Sequence, residues 1–337
     1  MKSFDAAVLL GIPDMPKYLA RVEEKLVAVA ATDNPALGKP LTRIVHAPSK
    51  RLRSMLVIAA ATSNGGKVND SVIAGCAAIE LVHLGSLVHD DIMDSAATRW
   101  NIPTVNAREG TNTAIVVGDY LFAKAGVAAA TINAEAASLI SSTIVHLCDG
   151  QSREQADRYN QERTIESYLT AISGKTASLI SAACQMGGLC SGLDDHHTQA
   201  LSHYGQAFGV AFQLIDDLLD FLSTEKLMGK PVGTDVREGI YTLPVLLALQ
   251  TPHRKTIKPL LKPPNCTGSV LVQPLWESGA FEQTIQKVRA YSHQAQQELK
   301  PLNLTPGLAQ LPKAYVEWAL THLIAEPYSK EVLQFLR

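Results

Sequence analysis

"SLVHDDIMDS", residues 86–95, gathers Asp90, Asp91 and Asp94 at the end of a segment otherwise almost free of charge. Upstream, "SVIAGCAAIELVHLGSLVHD" at 71–90 is apolar on every face, as suits the buried centre of a helical bundle rather than a surface helix. The pattern returns at "FQLIDDLLDF", residues 212–221, within a helical segment at 196–223 of milder but similar character. Each acidic cluster therefore ends or interrupts a core helix.

The rest of the chain agrees with helices. Aromatic residues are 6%, Ala, Leu and Ile dominate long stretches, and alternation of period two is scarce. Helices are expected at roughly 14–31, 52–63, 69–95, 108–132, 134–158, 164–190, 196–223, 240–250, 276–299 and 306–325, with a short one near 328–336. Asn69 or Asp70 and Thr164 stand where N-caps belong. The Pro- and Lys-rich stretch at 251–268 reads as a surface loop within one all-α domain spanning 1–337. Residues 1–40 are a helical extension with weaker signals.

Hydrophobic residues make up 46% of the 337 positions, charged residues 18%, and the net charge is −2. That balance supplies a sizeable core and argues against a disordered chain or a nucleic-acid binder with a broadly basic surface. The five cysteines form no CxxC or Cys/His metal pattern and read as reduced thiols of a cytoplasmic protein. The N-terminal apolar run is too short for a signal peptide. No stretch offers about 18 consecutive apolar residues free of charge and His, which argues against a transmembrane segment.

On a helix, positions i, i+1 and i+4 fall within one broad sector. Asp90, Asp91 and Asp94 thus lie together, as do Asp216, Asp217 and Asp220. Two such charges about 4 Å apart repel by roughly 4 kcal/mol at an effective dielectric near 20. The first cluster also sits at the negative end of a helix dipole. No Lys or Arg lies within four residues of either cluster's first Asp. A divalent cation is the better compensation, and an all-oxygen donor set favours Mg2+ over zinc. A lone DDxxD is commonly a solvated helix end, but two copies on apolar helices make that reading hard to hold. The Asp194, Asp195, His196, His197 run mimics a metal site but stands at a helix start, where capping is expected.

These motifs resemble the trans-isoprenyl diphosphate synthases, or polyprenyl synthetases, from about residue 40 to the C-terminus. "KRLR" at 50–53, "GDYLFAKA" at 118–125, "ISGKTASLISAAC" at 172–184 and "GKPVGTDVREG" at 229–239 join the acidic motifs in the resemblance. It implies an all-α bundle around a deep central cavity (the isoprenoid synthase fold), usually a homodimer, with a heteromeric partner as the alternative. It implies a prenyltransferase that ionises an allylic prenyl diphosphate and condenses the cation with isopentenyl diphosphate. Mg2+, three ions per active site, would be held by Asp90, Asp91, Asp94, Asp216, Asp217 and Asp220. Lys50, Arg53 and His83 resemble the isopentenyl diphosphate site, and Arg99, Lys175 and Lys230 the allylic diphosphate cations. Thr176, through its backbone carbonyl, and Gln213 resemble a pair that stabilises the allylic cation. Glu80 reads as a buried structural acid.

Gly85 and Ser86 stand where the family lines the tunnel that receives the growing chain. Both are small, as is much of "AKAGVAAAT" at 123–131, so a product of C20 or longer is expected and Gly85→Phe should shorten it. Departures fall at the diphosphate sites. Pro48 and Ser49 replace two glycines, Trp100 an arginine, Asn101 a glycine and Ile240 a lysine. A terpene-synthase-like lyase and a weakly active regulatory subunit are therefore the alternatives. Retention of Lys50, Arg53 and His83 favours the chain-elongating synthase.

Overall fold

The computed structural model describes residues 4–100, 102–228, 232–262, 267–300, 302 and 306–334. Its centre is the all-apolar segment singled out above, which forms one helix, α5, Asp70–Met93. Ahead of it come α1 (Ala6–Leu10), α2 (Met15–Ala30), α3 (Pro35–Val45) and α4 (Leu52–Thr62). Asn69 caps α5, its side chain accepting from the Val72 amide at 3.0 Å. Helix α5 is enclosed by α2, α4, α7 (Thr111–Ala130), α8 (Ala134–Ala156) and α10 (Ser178–Ser191). Cys76, Ile79, Leu81 and Val82 are wholly buried there, and each large side chain of this kind contributes about 1.5–3 kcal/mol.

Between α5 and α7 the chain makes a short hairpin, β1 (Thr98–Arg99) with β2 (Ile102–Pro103), and a one-turn helix, α6 (Val105–Glu109). The expected single helix at 108–132 is split where Gly110 takes φ 87. Helix α9 (Ile165–Ile172) is capped by Thr164, as expected, at 3.0 Å from the Ser167 amide. It does not run straight into α10, because Ser173–Ala177 widen into a π turn. Helix α11 (Asp195–Leu222) follows, capped by Asp194, whose side chain accepts from the His197 amide at 2.8 Å. The Asp/His run there serves as a cap.

A second group of buried side chains surrounds the far half of α11. It draws on short helices α12 (Glu225–Met228), α13 (Thr234–Arg237), α14 (Leu243–Leu249), α15 (Arg254–Leu260) and α16 (Gly268–Glu277), and on α17 (Ala280–Leu299), α18 (Pro306–His322) and α19 (Glu326–Gln334). The stretch at 251–268 is thus not simply a loop. Ile257 and Leu261, one helical turn apart, are buried where α15 meets α14 and α16, an apolar pair hidden among prolines and lysines. Helix α3 was likewise obscured by Pro35, although proline suits a first helical turn.

By length and composition α5 and α7 could each cross a membrane, but 78% of the most apolar window of α5 is buried inside the molecule. For α7 the buried share is only 39%.

Candidate active site

Helices α5, α8 and α11 and the π turn converge on a cavity of about 740 Å³. Asp90, Arg53, His83, Lys175, Thr176 and Gln213 all line it. The wall is completed by Ser86 and by apolar side chains that include Leu87, Phe122, Leu147, Leu179 and Phe212.

The first acidic motif opens outward from the end of α5. Asp90 faces the cavity, and burial pushes its carboxyl above the usual range, partly offset by Lys175. Asp91 turns away, into a small recess beside the hairpin, where it accepts from Arg99 Nε at 2.8 Å. Asp94 caps α5 and is exposed, with Arg158 4.0 Å away. The cations missing from the neighbouring sequence therefore arrive from other elements.

The second motif is drawn inward. Asp217 and Asp220 are each 1% exposed. Asp217 accepts from the Tyr168 hydroxyl and, at 2.9 Å, from Gln213 Nε2. Burial raises its carboxyl to about 7 despite those donors. Asp220 faces the amides of Thr234 and Asp235 at the start of α13, each at 3.3 Å. Asp216 is half-buried beside Asp217.

The π turn joins the two motifs, a rare geometry often found at functional sites. It presents Lys175 and Thr176 on successive positions. Lys175 Nζ lies 2.5 Å from Glu154 Oε1, and the Thr176 hydroxyl donates to Gln213 Oε1 at 2.7 Å. The expectation concerned the backbone carbonyl of Thr176; the hydrogen bond to Gln213 is made by its hydroxyl. Glycines allow the close crossing, since a Cβ on Gly150 would stand 2.3 Å from the Lys175 nitrogen and one on Gly174 2.7 Å from the His146 carbonyl.

The cation cluster at the start of α4 divides three ways. Arg51 is buried in a structural clamp with Glu23 at 2.6 Å and Glu80 at 3.3 Å. Glu80 also accepts from the Ser54 amide and hydroxyl, at 3.0 Å each, and is the buried structural acid expected. Arg53 lines the cavity with its Nε buried and without a hydrogen-bond partner. Lys50 is exposed, its Nζ 5.9 Å from the Trp318 ring centre, and is not among the lining residues. His83 stays neutral, because burial and then Arg53, Arg99 and Arg51 hold its imidazole well below its usual range. Lys230 and Asn101 lie outside the described residues.

Gly85 faces helix α7 rather than the cavity. A Cβ there would stand 2.9 Å from the Phe122 ring and 3.2 Å from the Gly118 carbonyl. The small residue permits close helix packing, and Phe122, which meets it, lines the cavity together with Ser86. Trp100 holds a left-handed φ of 52 in the hairpin turn, an unfavourable value for a bulky side chain, and lines the recess with Arg99.

Sequence reasoning did not find Glu154, Tyr168 or Arg158. One signal was available for Glu154. It continues the stripe of Thr143, Leu147 and Gly150, all buried, along α8. Acid placed on a buried stripe calls for a partner.

The donor set fits a hard divalent cation. Seven carboxylates, the two triads and Glu154, meet Arg99, Lys175 and Arg158 among the described residues. Burial raises Asp90, Asp91 and Asp217, so ionising them there costs free energy that a bound cation would offset. Oxygen ligands without thiolate are what Mg2+ takes.

The polyprenyl synthetase family model matches residues 34–272. The chain belongs to that family. This polyprenyl synthetase is 35% identical over 309 residues to the nonaprenyl diphosphate synthase of Mycobacterium tuberculosis, covering 90% of each chain. It is 34% identical over 284 residues to the heptaprenyl diphosphate synthase component 2 of Bacillus subtilis, covering 83% of this chain and 81% of that one. The polyprenyl synthase of Caulobacter crescentus, solved with calcium and isoprenyl diphosphate, superimposes with a TM-score of 0.83 at 26% identity over 95% of this chain and 98% of that one. The expected fold and enzyme class, an all-α trans-prenyltransferase, therefore hold.

Proposed function

We propose that this polyprenyl synthetase extends an allylic prenyl diphosphate by condensation with isopentenyl diphosphate. One observation carries the reading. Arg53, buried and unpartnered at Nε, shares a cavity with Asp90. These features support two different addresses for diphosphates, one built on acids that take up a cation and one built on the Arg53 guanidinium, whose Nε has no protein partner. A lyase acting on one prenyl diphosphate needs only the first.

Asp90, Asp94 and Asp216 would hold Mg2+ most directly, with Asp91, Asp217 and Asp220 supporting them from within their hydrogen bonds. Bound Mg2+ supplies Lewis-acid neutralisation of the diphosphate, which makes it a leaving group. Lys175 and Arg99 bind and orient the allylic diphosphate; Lys230 is assigned to the same task. Arg53 and neutral His83 receive isopentenyl diphosphate; Lys50 is assigned to the same task. The C–O bond of the allylic diphosphate breaks, the double bond of isopentenyl diphosphate attacks the cation at C1, and the departing diphosphate takes the proton. Thr176 and Gln213 present their oxygens to the positive charge, and the apolar wall excludes water that would trap the cation.

Ser86 on the cavity wall and the relatives' long products support a chain of C20 or more. Because Gly85 is packed against Phe122, Ser86→Phe is the substitution that should shorten the product. The exposed face of α7 and α8, with Ile115, Val116, Val127 and Val145 each at least 45% exposed, supports a homodimer. A relative called a component 2 supports a second reading, in which another kind of subunit completes the enzyme. The free thiols support a cytoplasmic setting.

The test is incubation of the protein and Mg2+ with geranyl, farnesyl or geranylgeranyl diphosphate, with and without radiolabelled isopentenyl diphosphate. Label in a longer prenyl diphosphate, lost with EDTA, is expected. Release of diphosphate with hydrocarbon or alcohol and no incorporated label would establish the lyase instead.

A further inference from the structure

Glu154 belongs to neither acidic motif, yet it meets both. Its side chain is 12% exposed, and its Oε1 lies 2.5 Å from Lys175 Nζ. It adds to the charge felt by Asp90 and by Asp217, while the Lys175 ammonium is in turn sustained by Asp90 and Asp94. Glu154 is not on the cavity wall, although Gln151 and Gln155 on either side of it are. The close crossing at Gly150 and Gly174 fixes the Lys175 backbone against α8, within reach of this carboxylate.

A lysine on a four-carbon stem, placed among acids, pairs with whichever is nearest and least hydrated. Asp90 is a direct competitor for Lys175. An ammonium paired with Asp90 would occupy the acid that Mg2+ is proposed to need, standing in for the metal without its chemistry. We infer that Glu154 is a positioning residue that parks Lys175 away from the first acidic motif, leaving Asp90 open to metal and the ammonium aimed at the incoming diphosphate. This inference rests on the reaction proposed above.

The experiment is a double-mutant cycle in the full chain with Glu154→Gln, Lys175→Ala and the pair together, and Glu154→Asp as the conservative variant. Two readouts are taken: the Mg2+ concentration that half-saturates binding of inorganic pyrophosphate, followed by calorimetry, and kcat and KM for the allylic diphosphate. Glu154→Gln is expected to raise the Mg2+ requirement by about tenfold, and to raise KM more than it lowers kcat. Glu154→Asp should recover most of the loss. With Lys175 already removed, Glu154→Gln should change the Mg2+ requirement less than twofold. An equal effect with and without Lys175, or an unchanged Mg2+ requirement, overturns the inference. The pyrophosphate readout needs no turnover, so it decides this point even where the condensation assay fails.

Discussion

Two clusters with the same spacing, Asp90/Asp91/Asp94 and Asp216/Asp217/Asp220, are held by different kinds of group among the described residues. The first lies at the end of a helix and is managed by cations brought from elsewhere, Arg99 on Asp91 and Arg158 near Asp94. The second lies along the buried side of α11; among the described residues Asp217 accepts from the neutral donors Tyr168 and Gln213, and Asp220 faces backbone amides. Equal spacing therefore does not make equal sites. Burial raises the Asp91 carboxyl despite its arginine, as it raises Asp217 despite its neutral donors; what differs is that an arginine on a hairpin approaches the first cluster and donors fixed in the core approach Asp217.

The largest contrast should be in turnover. Asp90→Ala removes the carboxylate that faces the cavity while leaving a half-buried helix end able to fold. A loss of about a thousandfold in kcat, some 4 kcal/mol of transition-state stabilisation, is expected in the condensation assay. Circular dichroism should show an unaltered helix content. A loss below about tenfold would move the metal-holding role to the second cluster.

The second contrast is in stability against pH, measured by urea unfolding in EDTA. Asp217 has a folded value of about 7, against roughly 3.9 for an unfolded aspartate. Between those values the folded chain keeps a proton that the unfolded chain has lost, so stability falls as pH rises. The contribution is fully present below about pH 4 and lost by about pH 8, a decline of up to about 4 kcal/mol. Asp217→Asn should flatten this slope, because the amide is never charged. Asp90→Asn should leave most of it. A slope that survives Asp217→Asn would place the titration elsewhere in the site.

How far this was legible in the sequence follows from where the compensating groups come from. The all-apolar run at 71–90, the caps at Asn69, Thr164 and Asp194, and the grouping of each acidic triad could be read because local spacing encodes them, whereas the gathering of Lys175, Thr176 and Gln213 with Asp90 was implied by the family resemblance. The partners of the acids could not. Arg99 meets Asp91 across a hairpin, and Glu154 meets Lys175 only because two glycines let α8 and the π turn touch. A search within four residues of each aspartate misses every such cation. The same holds for Gly85, whose small size reads equally as an open tunnel or as close packing until Phe122 is seen against it.

The smallest expected effect isolates one of the neutral donors. Tyr168→Phe keeps the ring in its wholly buried place on α9 and removes only the hydroxyl that Asp217 accepts. The loss should be about 1–2 kcal/mol at neutral pH, since the remaining donor, Gln213, still faces the other oxygen. It should also move the titration. A donor stabilises the ionised carboxylate more than the neutral acid, so without it the folded value rises above 7 and the decline in stability extends to higher pH. Thermal melts of the metal-free variant between pH 6 and 9 would reveal that displacement. A decline that instead ends at lower pH would mean the hydroxyl serves the protonated acid, and the second cluster would then be built to stay neutral until a cation arrives.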